Sequence, residues 1–311
     1  MSITNIGRTG LLAAQAGISM SARNTANLMT PGYSRQGLLL TPKSTGGVGV
    51  GSLIRFADNY RTQQLWTANT QRGQYSVGES YYKQLEGVMG LEDGSVKAGI
   101  DAFFGALDEV STDPTSSALR LQVLSKADGL AKSFNSLRQA MSRQLDTVRQ
   151  QSMATADQVN ALSGTIADLN QKIAAAEASG AGAPSELLDQ RDLAIDTLSG
   201  LVDIRVLRQP DGTIDVSLAA GPPLVAAGQV GKISVQTNTD GSFSYSMAFN
   251  GTDYPLDGAR VGGELGGLSN YATQTLQPQM ESMKTLAIEL ATRINDQLAA
   301  GFGTNGNPGI P

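Results

Sequence analysis

Residues 127–176 read ADGLAKSFNSLRQAMSRQLDTVRQQSMATADQVNALSGTIADLNQKIAAA, and the apolar side chains in this stretch are regularly spaced. Apolar or small residues recur at Ala127, Leu130, Phe134, Leu137, Met141, Leu145, Val148, Ser152, Thr155, Val159, Leu162, Ile166, Leu169, Ile173 and Ala176. The steps alternate between three and four, which keeps these side chains on one face of a helix. Met141 to Leu145 is a four where a three is due, a stutter in a heptad repeat. Upstream, Asp113-Pro114 gives a start signal: a capping side chain, then a residue pre-set for the first helical turn. Gly180 and Gly182 give the stop. A continuous helix of roughly 60 residues would be about 90 Å long, whereas a compact chain of this size has a radius of gyration near ~20 Å. The spacing therefore predicts a rod.

On the C-terminal side, Pro184 with Glu186 opens another helix, whose Leu188, Ile195, Leu198 and Val202 fit an antiparallel return. Asp189, Asp192 and Asp196 lie on its other side and are expected to form a solvated face rather than a metal or acid/base site. Val202 to Leu207 and Ile214 to Leu218 flank the hairpin signal Pro210-Asp211-Gly212; Lys232 to Val235 and Phe243 to Phe249 flank Asn238-Thr239-Asp240-Gly241. After Gly262, Gly263, Gly266 and Gly267 a helical pattern resumes at Leu276, Met280, Met283, Ala287, Leu290, Ile294 and Leu298. Pro278 predicts a kink there, or a helix that starts at it. On the N-terminal side, Tyr60 to Leu91 and Val96 to Val110 read as helices separated by Glu92-Asp93-Gly94-Ser95.

The expected fold is mainly α with a small β part: an elongated antiparallel helical bundle or coiled-coil rod with an inserted antiparallel β subdomain. In chain order this gives an N-terminal assembly helix (1–33), an extended or β-hairpin connector (34–59) and a long helical rod (60–201). A small antiparallel β subdomain (202–261), a returning rod helix (262–301) and a Gly/Pro-rich linker (302–311) follow.

The N-terminal helix is unusual. Leu11, Ala14, Ile18, Ala22 and Thr25 follow steps of three and four, but Gly10, Gly17 and many Ala and Ser stand between them. So thin a stripe is expected to be marginal or disordered until another helix covers it. Thr30-Pro31-Gly32 stops the helix, because a residue before proline leaves the helical region and Pro-Gly suits a type II turn. Leu38 to Leu40 and Val48 to Ile54 read as two strands about Pro42, Gly46 and Gly47. The glycines there lack the spacing of a dinucleotide or P-loop fingerprint, so a hairpin is expected.

Composition excludes several chemistries. The 311 residues contain no Cys and no His, which removes Cys/His zinc sites, disulfides and His-based nucleophilic triads. No carboxylate pair stands out as a glycan-hydrolase acid and base, so catalytic, cofactor and metal residues are none. The net charge of -5 hides an asymmetry. Seven cations, Arg8, Arg23, Arg35, Lys43, Arg55, Arg61 and Arg72, face the single acid Asp58 across the first 78 residues. They are spaced singly rather than clustered with aromatics, so no nucleic-acid partner is expected. No segment reads as a signal peptide or membrane span, and no membrane partner is expected.

Several stretches carry a resemblance. Gly10-Leu11-Leu12-Ala13-Ala14-Gln15, Asn24-Thr25-Ala26-Asn27 and Thr30-Pro31-Gly32-Tyr33-Ser34-Arg35-Gln36 resemble the N-terminal signature of bacterial flagellar rod, hook and hook-associated proteins. Leu187-Leu188-Asp189-Gln190-Arg191-Asp192, Asp211-Gly212-Thr213 with Pro223-Leu224-Val225, and Gly262-Gly263-Glu264-Leu265-Gly266-Gly267-Leu268 narrow it. Together they are similar to the hook-associated protein 1 family, the hook-filament junction proteins. Family members are longer and end in a second terminal helix, so the sequence resembles an N-terminal portion. The resemblance implies a non-enzymatic structural subunit needed for filament assembly, extracellular in the flagellum and exported through the flagellar type III channel without a cleaved signal. Its implied partners are further copies of itself in a ring, the hook protein, the second hook-associated junction protein and a flagellar export chaperone acting through the C-terminal part. The implied assembly interface is Leu11, Ala14, Ile18, Ala22, Asn27, Pro31, Gly32 and Tyr33. Another axial flagellar protein is the main alternative; a surface scaffold, adhesin or glycan hydrolase is weaker.

Overall fold

The long apolar stripe folds as expected. In the computed structural model, which describes all residues except 1, 2, 45, 91–94, 181, 220, 304–306, 308, 310 and 311, one helix of 62 residues runs over Ser117–Ala178. In chain order the elements are α1 (Ile3–Ala26), β1 (Gln36–Pro42), β2 (Val48–Arg55), α2 (Asn59–Met89), α3 (Val96–Thr112), α4 (Ser117–Ala178) and α5 (Ser185–Leu201). Then come β3 (Ile204–Arg208), β4 (Ile214–Leu218), β5 (Pro223–Ala226), β6 (Gln229–Val230), β7 (Lys232–Thr237), β8 (Phe243–Phe249) and β9 (Thr252–Leu256). A 3₁₀ turn (Gly258–Arg260), α6 (Gly263–Asn270), a π-helical stretch (Tyr271–Leu276) and α7 (Gln277–Ala300) complete the chain. The fold class is mainly α with small antiparallel sheets. The expected break at 92–94 and part of the 302–311 linker lie outside the described residues.

The local reasons are legible at the helix ends. Ser95 caps α3, its Oγ accepting from the Ala98 N–H at 3.2 Å. Asp113-Pro114 forms a turn before α4 instead of opening it: Asp113 Oδ1 accepts from the Thr115 N–H and hydroxyl, and the helix starts at Ser117. Positive φ at Gly180 and Gly182 ends the run. Pro278 sits in the first turn of α7, directly after the π-helical stretch. There Gln277 N–H bonds to Ala272 O, five residues back, so the backbone widens just before a residue that cannot donate. Of the two expectations, the helix start is the nearer: α7 begins at Gln277, one residue before Pro278.

The chain divides into two compact units, both discontinuous in sequence: residues 1–74 with 155–265, and residues 75–154 with 266–311. The second unit is helical. Val96 and Phe103 of α3 and Leu130 of α4 form its centre, with Ile100, Leu107, Phe134, Leu137 and, from α7, Met283, Leu290 and Ile294 against them. Each fully buried side chain of this size contributes roughly 1.5–3 kcal/mol. Tyr271 of the π-helical stretch is fully buried, stacked on Tyr81 and edge-on to Tyr82, with ring centroids 5.3 Å apart in both pairs. At the stutter, the buried Gln144 amide donates to Tyr81 O at 3.1 Å, so the extra residue seats a polar side chain between apolar layers.

The first unit carries the sheets: β1-β2, β3-β4-β5-β6 and β7-β8-β9, all antiparallel. Ile214, Val216 and Leu218 of β4 and Phe243, Tyr245 and Met247 of β8 point inward on the period of two. Both expected turns form, each tied by an aspartate: Asp211 Oδ1 accepts from the Thr213 N–H and hydroxyl, and Asp240 Oδ1 from those of Ser242. β5, β6 and β9 carry no strand signal of their own but fall within the small β subdomain expected over 202–261. Gly263 holds φ +58° where α6 meets the end of α5, and an added Cβ would lie 2.4 Å from Leu201 C.

Candidate functional site

The candidate assembly residues lie on the N-terminal arm, residues 3–56. On α1, Thr9, Ala13 and Met20 are buried, and they share a face that rests on the β1–β2 hairpin. Thr9 Oγ1 accepts from the Val48 N–H at 3.3 Å. At the base of the hairpin Asn24 does three things: its Nδ2 donates to Gln36 O at 2.8 Å, and its Oδ1 accepts from Gln36 N–H at 3.0 Å and Tyr33 hydroxyl at 2.9 Å. One side chain thus replaces a strand partner and pins the turn, which explains physically why Asn24, Tyr33 and Gln36 occur together.

The predicted stripe is the opposite face. Leu11 is 61 % and Ile18 70 % exposed, and Ala14 and Ala22 are exposed with them. At 100° per residue these four fall within a sector about 80° wide, on the far side of the helix from Ala13 and Met20. Leu28 and Met29, just past the helix end, are 78 % and 90 % exposed. The other predicted residues stand apart from this face. Asn27 is half-buried, donating to Arg23 O and accepting from the Thr30 hydroxyl. Pro31 is exposed, while Gly32 (φ +78°) and Tyr33 are half-buried. A Cβ on Gly32 would lie 2.9 Å from Leu193 Cβ and 3.4 Å from Asp189 O, so the turn lies directly on α5.

The acidic row on α5 is not a solvated face. Arg55, the last residue of β2, donates from Nε to Asp189 Oδ1 at 2.8 Å and from Nη2 to Asp192 Oδ2 at 2.8 Å. The three side chains keep only 12–17 % of their exposure. Burial works against the Arg55 charge, but Asp192 and Asp189 beside it outweigh that and raise its pKa above the ordinary arginine value. Asp196, one turn further, accepts from Trp66 Nε1 at 2.6 Å; burial pushes its carboxyl up, with the indole hydrogen bond opposing. Spacing puts the acids at 189, 192 and 196 on one face of a helix whose other face is apolar, but it carries no sign of the Arg55 and Trp66 that meet them there.

Between those acids Arg191 points the other way. It is 1 % exposed, and its Nη1 donates to Asn170 Oδ1 and Gly212 O. Asn170 in turn donates to Ile214 O and accepts from Ile214 N–H, while Asn160 makes the same pair of bonds to Ile233. The Leu187–Asp192 motif is therefore two-sided: outward to the N-terminal arm, inward to the β subdomain. Among the described residues no group of three or more His, Cys, Asp or Glu could hold a metal ion, and no helix is long and apolar enough to cross a membrane.

The family model for the helical domain of the flagellar hook-associated protein FlgK matches residues 82–311. The chain belongs to this family. It is 28 % identical to flagellar hook-associated protein 1 of Escherichia coli (strain K12), over 99 % of this chain and 59 % of the relative. Identity to hook-associated protein 1 of Bacillus subtilis (strain 168) is 27 %, over 97 % of this chain and 68 % of the relative. The solved flagellar hook junction protein FlgK from Burkholderia pseudomallei superposes with a TM-score of 0.74 at 29 % identity, covering 80 % of this chain and 46 % of that one. The chain thus spans 59 % of the length of the Escherichia coli relative. This FlgK family member presents the exposed face of α1 beside an arm attached to α5.

Proposed function

We propose that this chain is a structural subunit of the bacterial flagellum, not an enzyme, which forms the junction between hook and filament and is needed for filament assembly. The observation that carries the reading is the apolar face Leu11, Ala14, Ile18 and Ala22, left uncovered on a helix whose opposite face is already docked. Burying Leu and Ile side chains from such a face is worth roughly 1.5–3 kcal/mol each, which is driving force reserved for a partner. Membership of the FlgK family supplies the class of assembly. The partners are other copies of the chain in a ring, the hook protein and the second junction protein, with an export chaperone acting before assembly. The site of action is extracellular, reached through the flagellar export channel without a cleaved signal.

In this reading the N-terminal arm, held on the hairpin by one face of α1 only, stays marginal until the growing structure covers the other face. A Gly- and Ser-rich helix with little apolar area is marginal alone, and a partner that binds only the folded form shifts it toward order. Immunogold electron microscopy of flagellated cells of the source organism, with antibody against residues 60–300, tests the role. Gold in a narrow band where hook meets filament is the expected result. Label along the whole hook would make the chain a hook-type subunit, and label missing from flagella would overturn the proposal.

A further inference from the structure

The hairpin beneath α1 is a two-stranded ribbon, too small to hold a position by itself. Its base is where both strands end, at the Gln36–Arg55 pair, and there it is tied on both sides. Asn24 grips Gln36 from α1. Arg55 reaches the other way, its Nη2 lying 2.7 Å from Asp189 Oδ1 and 2.8 Å from Asp192 Oδ2 while Nε also bonds Asp189. The Gly32 turn lies on the same stretch of α5. Arg35 stacks on Phe56 at 4.3 Å and its carbonyl accepts from Phe56 N–H, which joins the two chain ends that leave the ribbon.

We propose that Arg55, Asp189 and Asp192 form a positioning latch: the guanidinium fork fixes the hairpin on α5 and so presets where the assembly face of α1 is presented. The proposal rests on the junction reading and deepens it. Two physical facts carry it. A shielded ion pair adds little net stability compared with an apolar pair of similar volume, so its value lies in geometry. A planar fork spanning two carboxylates one helical turn apart accepts one orientation, whereas apolar contacts at the same point would tolerate sliding. The latch therefore acts through α1 and the hairpin rather than by touching a neighbouring subunit.

Hydrogen exchange on the purified chain, with incorporation scored in cells carrying the same change in the full-length protein, tests it. Arg55→Ala is expected to speed exchange of the β1 and β2 amides by roughly tenfold or more while α4 and β4 keep their protection. Junction labelling is expected to be lost with it. Arg55→Lys should fall between, because an ammonium is a point charge that cannot hold both carboxylates in a fixed plane. Should Arg55→Ala fail to fold, Arg55→Lys and the double variant Asp189→Asn/Asp192→Asn read the same hairpin. Unchanged hairpin exchange, or normal incorporation despite a loosened hairpin, would overturn the latch. Wild-type protein missing from the junction would instead sink the junction reading, and the exchange data alone would then judge the latch.

Discussion

Asn24, Asn160 and Asn170 repeat one device on three sheets. Each sits on a helix, donates its amide N–H to a strand carbonyl and accepts from the N–H of the same strand residue. The side chain stands in for a neighbouring strand and fixes both register and distance between helix and sheet. Asn170 carries more, because Arg191 also donates to its oxygen and is otherwise nearly enclosed. Asn170→Ala is expected to destabilise the β-bearing unit by about 2–4 kcal/mol, since two buried strand groups and part of a guanidinium lose partners together. Asn24→Ala, at a partly exposed site, should cost about 1 kcal/mol. Urea denaturation curves for the two variants check both the size and the order. Gly263→Ala is expected to cost about 3 kcal/mol or more, because positive φ and contact with Leu201 forbid a Cβ. Asparagines of this kind were invisible in the sequence, where an Asn on a helix face reads as solvated; its strand partner lies 12 to 73 residues away.

At the scale of elements, α1 is a helix with one docked and one open face. Leu11→Asp with Ile18→Asp is expected to leave far-UV circular dichroism and the urea midpoint within about 0.5 kcal/mol of wild type, since both side chains face solvent. Incorporation into flagella should be abolished; a variant that still assembles, or one that loses its helicity, would contradict the separation of the two faces. The face was readable from spacing because a period of 3.6 leaves no other way to group Leu11, Ala14, Ile18 and Ala22. Its docked counterpart was not, because of Thr9, Ala13 and Met20 only Met20 is a large apolar residue, too little to mark a face. The stripe of α4 was legible for the opposite reason, being long and almost unbroken. Where local signals competed, structure decided: Asp113 spent its cap on a turn, and Pro278 was met by a π-helical stretch rather than a sharp bend.

For the whole molecule, the acid response divides by sign. Burial raises the pKa of Asp196, against the Trp66 hydrogen bond, and of Asp203, against Arg205. The folded state takes up these protons before the unfolded chain does, so both groups add stability as pH falls from neutral through their raised values. The turn aspartates Asp113, Asp211 and Asp240 behave oppositely: hydrogen bonds from Thr115, Thr213 and Ser242 lower their pKa, and their contribution is present above the ordinary carboxylate range and lost below it. Asp196→Asn keeps an acceptor for Trp66 but removes the charge. Its melting temperature is expected to exceed wild type at pH 7, and the gap is expected to shrink as pH falls through the raised value and to close below the ordinary aspartate range; a gap that is constant across pH would refute the assignment. The helical class, the hairpin turns and the apolar face of α1 are legible along the chain because each depends on residue types at short, fixed spacing, and the lack of Cys and His chemistry follows from composition. That Arg55 meets two aspartates more than 130 residues away, that Trp66 bonds Asp196 and that Arg191 is buried follows from three-dimensional packing alone. Charged side chains read as solvated until another element comes to meet them, and which element does so is set by packing of the whole unit rather than by local spacing.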